Sequence, residues 1–143
     1  MTATHVVIHT DGGSRGNPGP AAIGVWIGTS DGDEIHSFGQ FLGMGTNNEA
    51  EYEAILASLT WLLASPIKDT MLDITWKLDS MLVVEQLNRR WKIKEPRIQT
   101  KATRCWQLLQ SLTVPYSIKY VPRAQNAQAD ALVNQALDKQ LKA

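Results

Sequence analysis

Four acidic residues occupy positions where a carboxylate is unusual. Asp11 and Asp79 each stand at the end of a segment typical of a β-strand. Glu51 and Asp130 lie on the apolar side of segments with helical periodicity. A carboxylate on a buried face is costly unless a basic group or a metal ion compensates its charge. If the fold brings the four together, they predict a metal centre.

The elements that position these acids follow from the hydrophobic pattern. Alternating, β-branched segments predict strands, and capped segments with helical spacing predict helices. The predicted strands are residues 5–11, 22–28, 34–42, 71–78 and 116–121, and the predicted helices are residues 47–64, 80–88, 97–112 and 127–141. Residues 12–20 and 30–33 are interpreted as turns because Gly, Pro, Asn, Asp and Ser dominate them.

The order of these elements predicts an α/β fold with one five-stranded mixed sheet. The first three strands form an antiparallel meander, and the helix after them lets strand four lie parallel to strand one. The right-handed crossover rule then favours the strand order 3-2-1-4-5, with helices on both faces. Ligands bind such sheets where the strand order reverses, between strands one and four. Asp11 and Asp79 are expected at that point.

The two helical acids are expected at the same edge of the sheet. Glu51 shares its helix face with Leu59, and Asp130 heads an inward stripe that includes Leu137 and Leu141. Each acid alone could belong to a turn, a cap or a solvated first turn. Together they lack a neutralising Lys or His within their segments. Oxygen ligands without Cys or His favour Mg²⁺ or Mn²⁺ over Zn²⁺, and two such ions suit phosphodiester hydrolysis.

Four motifs, spread over nearly the whole chain, resemble type 1 ribonuclease H. They are residues 11–20 (DGGSRGNPGP), 46–52 (TNNEAEY), 78–80 (LDS) and 123–130 (RAQNAQAD). The resemblance implies the RNase H-like fold and an endoribonuclease that hydrolyses the RNA strand of RNA/DNA hybrids, leaving 5′-phosphate and 3′-hydroxyl ends. It implies a two-metal-ion mechanism with Mg²⁺, for which Mn²⁺ could substitute. The implied catalytic and metal-binding acids are Asp11, Glu51, Asp79 and Asp130.

The resemblance also implies a substrate grip made of short neutral groups. Asn17 and Thr46 would lie near a DNA phosphate. The groups expected near RNA sugars and bases are Gly12, Gly13, Ser14, Asn47 and Asn48. Hydrogen-bonding groups at the 2′-hydroxyl distinguish RNA from DNA, and glycines allow close backbone approach.

A basic stretch runs from Arg89 to Arg104 and includes Trp91 and Trp106. Its first part is predicted to contact the DNA strand, through Arg89, Arg90, Trp91 and Lys92. The alternative is a solvated helix face with Trp106 in the core. The pattern Trp91-Lys92-Ile93-Lys94 is similar to the archaeal-like, single-domain branch of the family.

One position departs from the family pattern. Many members carry a histidine ten residues before the last aspartate, and Tyr120 stands there in this chain. If the loop is shorter, Arg123 would replace the histidine, unless Arg123 pairs with an acid. Asn126 is a further candidate, and both residues are predicted to contact substrate.

Bulk properties are those of an ordinary globular protein. The chain has 143 residues, no formal net charge and one cysteine, Cys105. We expect one domain over residues 1–143, a monomer in the cytoplasm without a membrane partner. The expected partner is an RNA/DNA hybrid, with double-stranded RNA as a second candidate substrate.

Three other functions are compatible with these sequence features. The first is a nucleic-acid-binding module that has lost its chemistry, which the intact set of four acids disfavours. The second is an integrase-like strand transferase with the same fold. The third is a structural cation-binding protein, which would not prefer hybrid over duplex DNA. His5, His9, His36 and Cys105 are interpreted as ordinary structural residues, and Glu49 and Glu53 as acids outside the cluster.

Overall fold

One mixed sheet organises the part of the chain that the computed structural model describes, residues 3–142. The strands are β1 (Thr4–Ser14), β2 (Gly19–Thr29), β3 (Glu34–Gly45), β4 (Met71–Leu78) and β5 (Tyr116–Tyr120). The helices are α1 (Asn47–Ala64), α2 (Met81–Leu87), α3 (Pro96–Gln110) and α4 (Ala127–Leu141), with short 3-10 turns at Pro66–Asp69 and Arg123–Asn126. None of the helices within residues 3–142 has the length and apolar content needed to cross a membrane.

The sheet has the predicted order, β3-β2-β1-β4-β5. The pairs β1–β2 and β2–β3 are antiparallel, and β4 runs parallel to both β1 and β5. Helices cover both faces, as β2 shows. Val25 and Ile27 belong to the main core with Leu59 of α1, whereas Ala22 packs on the other face with Val133 of α4. The strand therefore carries apolar side chains on both sides, as expected for a central strand.

Two glycines bring α4 close to the sheet. A Cβ atom at Gly24 would overlap the backbone oxygen of Ala129, and one at Gly39 would lie 2.6 Å from the backbone oxygen of Leu132. A residue with a side chain at either position would force the helix away from β2 and β3. The helix that carries Asp130 therefore rests directly on strand backbone.

Helix α1 begins with the predicted capping box. The Glu49 backbone N–H donates to Thr46 Oγ1 at 3.1 Å, and the Thr46 N–H donates to Glu49 Oε1 at 3.2 Å. Two amides that the helix itself leaves unpaired are thereby satisfied. Glu49 is thus engaged at the helix start, as the sequence predicted.

The predicted turn at residues 12–20 is too long. β1 continues to Ser14 and pairs there with Ala21 of β2, so only residues 15–18 lie outside the strands. Hairpin pairing outweighs the local preference of glycine for turns. A second prediction is also wrong: Leu141 is 50% exposed and does not continue the buried stripe of α4.

Candidate active site

The parallel register between β1 and β4 brings Asp11 and Asp79 to the same level. The last paired residues of the two strands are His9 and Lys77, and each acid lies two residues further along. β4 ends at Leu78, whereas β1 continues beside β2. Asp11 therefore lies within its strand and not at the strand end, but it has no β4 neighbour to cover it on that side.

Gly12 sets the position of Glu51. A Cβ atom at Gly12 would overlap the backbone carbonyl of Ala50 and lie 2.5 Å from the backbone nitrogen of Glu51. Only a residue without a side chain lets α1 approach β1 this closely. The packing places Glu51 beside Asp11, a role for Gly12 that the sequence analysis did not foresee.

Three carboxylates meet at this crossing. One oxygen from each of Asp11, Glu51 and Asp79 lies within 4.8 Å of the other two. Burial, with a further contribution from the neighbouring carboxylates, raises the pKa of Asp11 to about 8. Burial also raises the pKa of Glu51 to about 7, although a hydrogen bond from the Ser80 side chain opposes the change. Burial raises the pKa of Asp79 as well, against a hydrogen bond from Asn126.

The composition of this group fits a hard divalent cation. Its donors are carboxylate oxygens, which suit Mg²⁺ or Mn²⁺ better than the softer metals that prefer Cys or His. The raised pKa values of Asp11 and Glu51 show that surrounding protein does not compensate their charges fully. A dication among them would do so.

Asp130 lies outside the group of three. Its Oδ1 accepts a hydrogen bond from Nη2 of Arg123 at 3.3 Å, and its side chain is 31% exposed. Its charge still raises the pKa of Asp11, and it borders the same cavity. The structure thus brings three of the predicted acids together, and it pairs the fourth with an arginine.

The acids open into a polar cavity of about 340 Å³ between β1, the start of α1, and α4. Five of the predicted substrate-binding residues line it: Gly12, Gly13, Ser14, Asn47 and Arg123. Asn47 connects the walls, since its Oδ1 accepts from the Ser14 N–H at 2.9 Å and its own N–H donates to Asn17 Oδ1 at 3.0 Å. Asn17 and Thr46 do not line the cavity: Asn17 accepts that hydrogen bond from Asn47, and Thr46 is the N-cap of α1. Asn48 borders a neighbouring cavity.

Two lining residues were not singled out from the sequence. Arg15 follows Ser14, and its guanidinium contacts Asp138 Oδ1 at 2.7 Å and Asn134 Oδ1 at 3.4 Å. Asn134 lies one helical turn after Asp130 on α4, a spacing that could have identified it. The contact of Arg15 with α4 spans too many residues for any local pattern to reveal.

The basic tryptophan surface, which we define as Arg89, Arg90, Trp91, Lys92 and Trp106, lines a separate cavity of about 550 Å³. The Arg89 guanidinium carbon lies 3.9 Å from the centre of the Trp106 ring. Arg90 donates two hydrogen bonds to Glu85, at 2.7 and 2.8 Å. Trp91 is 46% exposed. Trp106 is only partly buried and donates to the Leu87 carbonyl at 3.0 Å.

The candidates for the family histidine lie in different surroundings. Tyr120 pairs with Leu78 in the sheet and is 44% exposed. Arg123 faces Asp130 as described above. Asn126 is 1% exposed and contacts both β1 and Asp79. Arg123 and Asn126, and not Tyr120, therefore adjoin the acids.

The residues interpreted as structural have structural partners. Glu53 contacts Lys101 Nζ at 2.6 Å. His5 contacts Asp73 at 2.8 Å, and burial lowers the pKa of His9 despite its hydrogen bond to Asn126. His36 stacks on Trp61, with ring centres 4.8 Å apart. Burial raises the pKa of Cys105 to about 12, which makes its thiol a poor nucleophile.

A protein-family model and individual known proteins both match most of this chain. Residues 9–136 match a protein-family model described as "Reverse transcriptase-like". Ribonuclease HI of Halobacterium salinarum is 42% identical over 128 residues, which are 90% of this chain and 62% of that protein. A bifunctional protein of Mycobacterium tuberculosis is 40% identical over 140 residues, 93% of this chain and 35% of its own length. The chain thus spans less than two thirds of these two relatives.

Two solved structures match over nearly their whole length. RNase H1 of the halophilic archaeon Halobacterium salinarum superposes with a TM-score of 0.86 and 41% identity, covering 94% of this chain and 98% of that one. LC11-RNase H1, crystallised in complex with an RNA/DNA hybrid, gives a TM-score of 0.90 and 38% identity, covering 95% and 99%. On these matches and on the shared sheet order, this chain belongs to the type 1 ribonuclease H family.

Proposed function

We propose that this protein is an endoribonuclease that hydrolyses the RNA strand of RNA/DNA hybrids with the help of Mg²⁺. The observation that carries the proposal is the group formed by Asp11, Glu51 and Asp79, whose oxygens approach within 4.8 Å and whose pKa values are raised. A protein without a use for this arrangement would gain stability by replacing one of the acids. The crystal structure of LC11-RNase H1 with a hybrid supports the choice of substrate.

The three acids would hold the cation, with Asp130 and Arg123 beside them. A bound divalent cation supplies Lewis-acid stabilisation of phosphate charge and lowers the pKa of a coordinated water. Asp11 and Glu51 would be held at a fixed spacing for this purpose, because the close contact at Gly12 packs α1 against β1. Arg123 donates to Asp130 at 3.3 Å with its own side chain 80% exposed. It is therefore free to reach a phosphate at the mouth of the cavity while it keeps Asp130 oriented.

Recognition of the RNA strand falls to the neutral wall of the cavity. Ser14 and Asn47 are joined by hydrogen bonds and stand next to two glycines, Gly12 and Gly13. Short polar side chains and exposed backbone amides are suited to a 2′-hydroxyl in a shallow minor groove. This wall would select ribose next to the scissile bond.

The basic tryptophan surface is proposed to hold the DNA strand. Trp91 offers an exposed aromatic face, and Lys92 lies next to it in the same cavity. Aromatic rings stack on bases or sugars, and lysines neutralise phosphates. Arg90 contributes less, because Glu85 already accepts two of its hydrogen bonds.

The test is cleavage of matched RNA/DNA, RNA/RNA and DNA/DNA duplexes, each labelled on one strand, with Mg²⁺, Mn²⁺ or excess chelator. We expect cutting of the hybrid's RNA strand with either metal, no cutting with chelator, and products whose RNA ends are 5′-phosphate and 3′-hydroxyl. The RNA/RNA arm decides whether double-stranded RNA is a second substrate. DNA cleavage at a comparable rate, or hybrid cleavage that survives chelation, would contradict the proposal.

A further inference from the structure

We propose that His9 is a positioning residue for the carboxylate group, acting through the side-chain amide of Asn126. The inference rests on the proposed function, since it concerns how the acids are held for metal binding. The observation behind it is a chain of buried hydrogen bonds that leads from one strand to Asp79 and to the start of the helix that carries Asp130.

Asn126 makes a hydrogen bond with each part of its amide. Its Nδ2 donates to the Thr10 carbonyl oxygen at 2.9 Å, and the same side chain interacts with Asp79 and opposes the rise in that carboxylate's pKa. Its Oδ1 lies 2.9 Å from Nδ1 of His9. At 1% exposure, the amide has almost no access to water that could replace a missing partner.

The chemistry of these partners defines the roles of the ring and the amide. A carbonyl and a carboxylate are acceptors, so the amide NH₂ group of Asn126 must face Thr10 and Asp79. Its oxygen then faces His9, whose Nδ1 must carry the proton. Rotating the amide by half a turn would set its oxygen against two acceptors. The donor on His9 therefore secures the orientation in which Asn126 supports Asp79.

The sheet holds the imidazole in place. His9 lies opposite Trp26 in the β1–β2 ladder, and the two rings pack edge to face with centres 5.7 Å apart. Trp26 is itself buried. Cross-strand packing of this kind restricts the ring to one orientation, so Nδ1 is directed at Asn126 in the absence of substrate.

The same contact joins three acid-bearing elements. Thr10 directly precedes Asp11 on β1, and Asn126 is the residue immediately before α4, the helix of Asp130. One buried amide thus connects the strand of Asp11, the carboxylate of Asp79 and the helix of Asp130. Outer hydrogen-bond partners of metal-binding side chains commonly tune both metal affinity and activity.

The test compares two substitutions at His9. His9→Phe keeps an aromatic ring but removes the donor, whereas His9→Asn places a side-chain N–H close to the position of Nδ1. The matched control is His36→Phe, because His36 also stacks on a tryptophan but lies on β3 against α1, away from the acids. Mn²⁺ affinity of the free protein is measured by calorimetry, kcat by hybrid cleavage and Tm by thermal unfolding.

We expect His9→Phe to weaken Mn²⁺ binding and to lower kcat by about 3- to 10-fold, below the roughly 10- to 100-fold typical of a direct partner. His9→Asn should recover most of both losses, and His36→Phe should change neither. In a double-mutant cycle, His9→Phe should add little to Asn126→Ala, because both remove the same support.

Unchanged Mn²⁺ affinity and kcat in His9→Phe would overturn the inference, even if Tm fell, since that result would show a merely structural role. Full additivity with Asn126→Ala would overturn it as well. If the wild-type protein bound Mn²⁺ but cut no hybrid, the proposed function would fail, while the Mn²⁺ affinities of the variants would still decide the role of His9.

Discussion

The cavity of the acids and the basic tryptophan surface treat their charges in opposite ways. In the cavity, Asp11, Glu51 and Asp79 lie close together, and their pKa values rise because the carboxylates are buried and because other carboxylates lie nearby. On the basic tryptophan surface, Arg90 is paired with Glu85 and Arg89 is stacked on Trp106. The three carboxylates thus repel one another without full compensation, whereas these two arginines have partners within the protein.

This difference indicates which region depends on a ligand for its stability. Protons or a bound cation relieve the repulsion among buried carboxylates, so the cavity should bind a metal ion favourably. On the basic tryptophan surface two of the three cations, Arg89 and Arg90, already have partners within the protein, so the surface should contribute modest and salt-sensitive affinity. The predictions below test this contrast.

The largest expected effect is loss of catalysis when one buried acid is neutralised. Asp11→Asn should lower kcat for hybrid cleavage about 1,000-fold, equivalent to roughly 4 kcal/mol of transition-state stabilisation. Glu53→Gln is the matched control, because Glu53 lies on α1 near Glu51 but pairs with Lys101. Steady-state kinetics of both variants compare the two losses of kcat. Comparable losses in the two would mean that general charge, and not the group of three, supports the reaction.

The second-largest effect concerns the close contact between Gly12 of β1 and the backbone of α1, which positions Glu51. Gly12→Ala should lower kcat about 100-fold and destabilise the fold by about 3 kcal/mol, because the new methyl group meets the backbone of α1. Gly45→Ala is the control, since its Cβ would lie 3.6 Å from Ala21 Cβ in ordinary contact. Denaturant unfolding and kinetics measure the two effects. A well-folded, fully active Gly12→Ala protein would show that α1 does not need this approach.

The third prediction uses pH. Metal ligands must be deprotonated, and burial holds the pKa of Asp11 at about 8 and that of Glu51 at about 7. Protons therefore compete with the cation at pH 6 and much less at pH 8.5. Apparent Mg²⁺ affinity, measured by calorimetry on the free protein, should rise about 100-fold over that interval. An affinity that stays level across it would argue against the raised pKa values.

Stability of the metal-free protein should follow the opposite trend. The pKa of Asp11 is about 8 in the folded protein against an ordinary value of 3.8, so the folded state loses stability as pH rises from about 4 to about 8. Asp11→Asn removes this loss and should raise Tm at pH 9 by about 2–4 °C, equivalent to about 1 kcal/mol, with little change at pH 5. Thermal melts with chelator present provide the measurement, and a lower Tm at pH 9 would be the contrary result.

The smallest effect belongs to the basic tryptophan surface. Lys92→Ala should raise KM for the hybrid about threefold and reduce the salt-dependence slope by about 1, as expected for one lost phosphate contact. Arg90→Ala should change both less, because Glu85 already binds that guanidinium. Binding titrations at several salt concentrations distinguish the two. An equal slope change would show that Arg90 leaves Glu85 to reach the hybrid.

Local patterns account for what the sequence predicted well. The bounds of α1, β4 and α4 agree with the prediction, because capping residues and apolar periodicity act over a few residues. The sheet order followed from element order and the handedness of the crossover. The convergence of Asp11 and Asp79 followed in turn, since parallel strands carry their ends to one edge.

Long-range packing explains what the sequence could not predict. No local signal shows that Gly12 lies under α1, that Arg15 reaches Asp138, or that Arg90 turns back to Glu85. The extension of β1 through Ser14 depends on its partner strand, and glycine content alone argued for a turn. The sequence left open whether Arg123 pairs with an acid, and the 3-10 turn before α4, which the periodicity did not indicate, places it beside Asp130.

The bare strip formed by Gly24 and Gly39 has a consequence for redesign of the protein. Helices usually rest on side chains, whose rotamers can adjust when a neighbour is replaced. Here the backbone oxygens of Ala129 and Leu132 lie directly over the two glycines, so main-chain contacts limit how closely the helix approaches the sheet. Designs that raise thermal stability should therefore keep both glycines, because a side chain at either position would move α4 and, with it, Asp130.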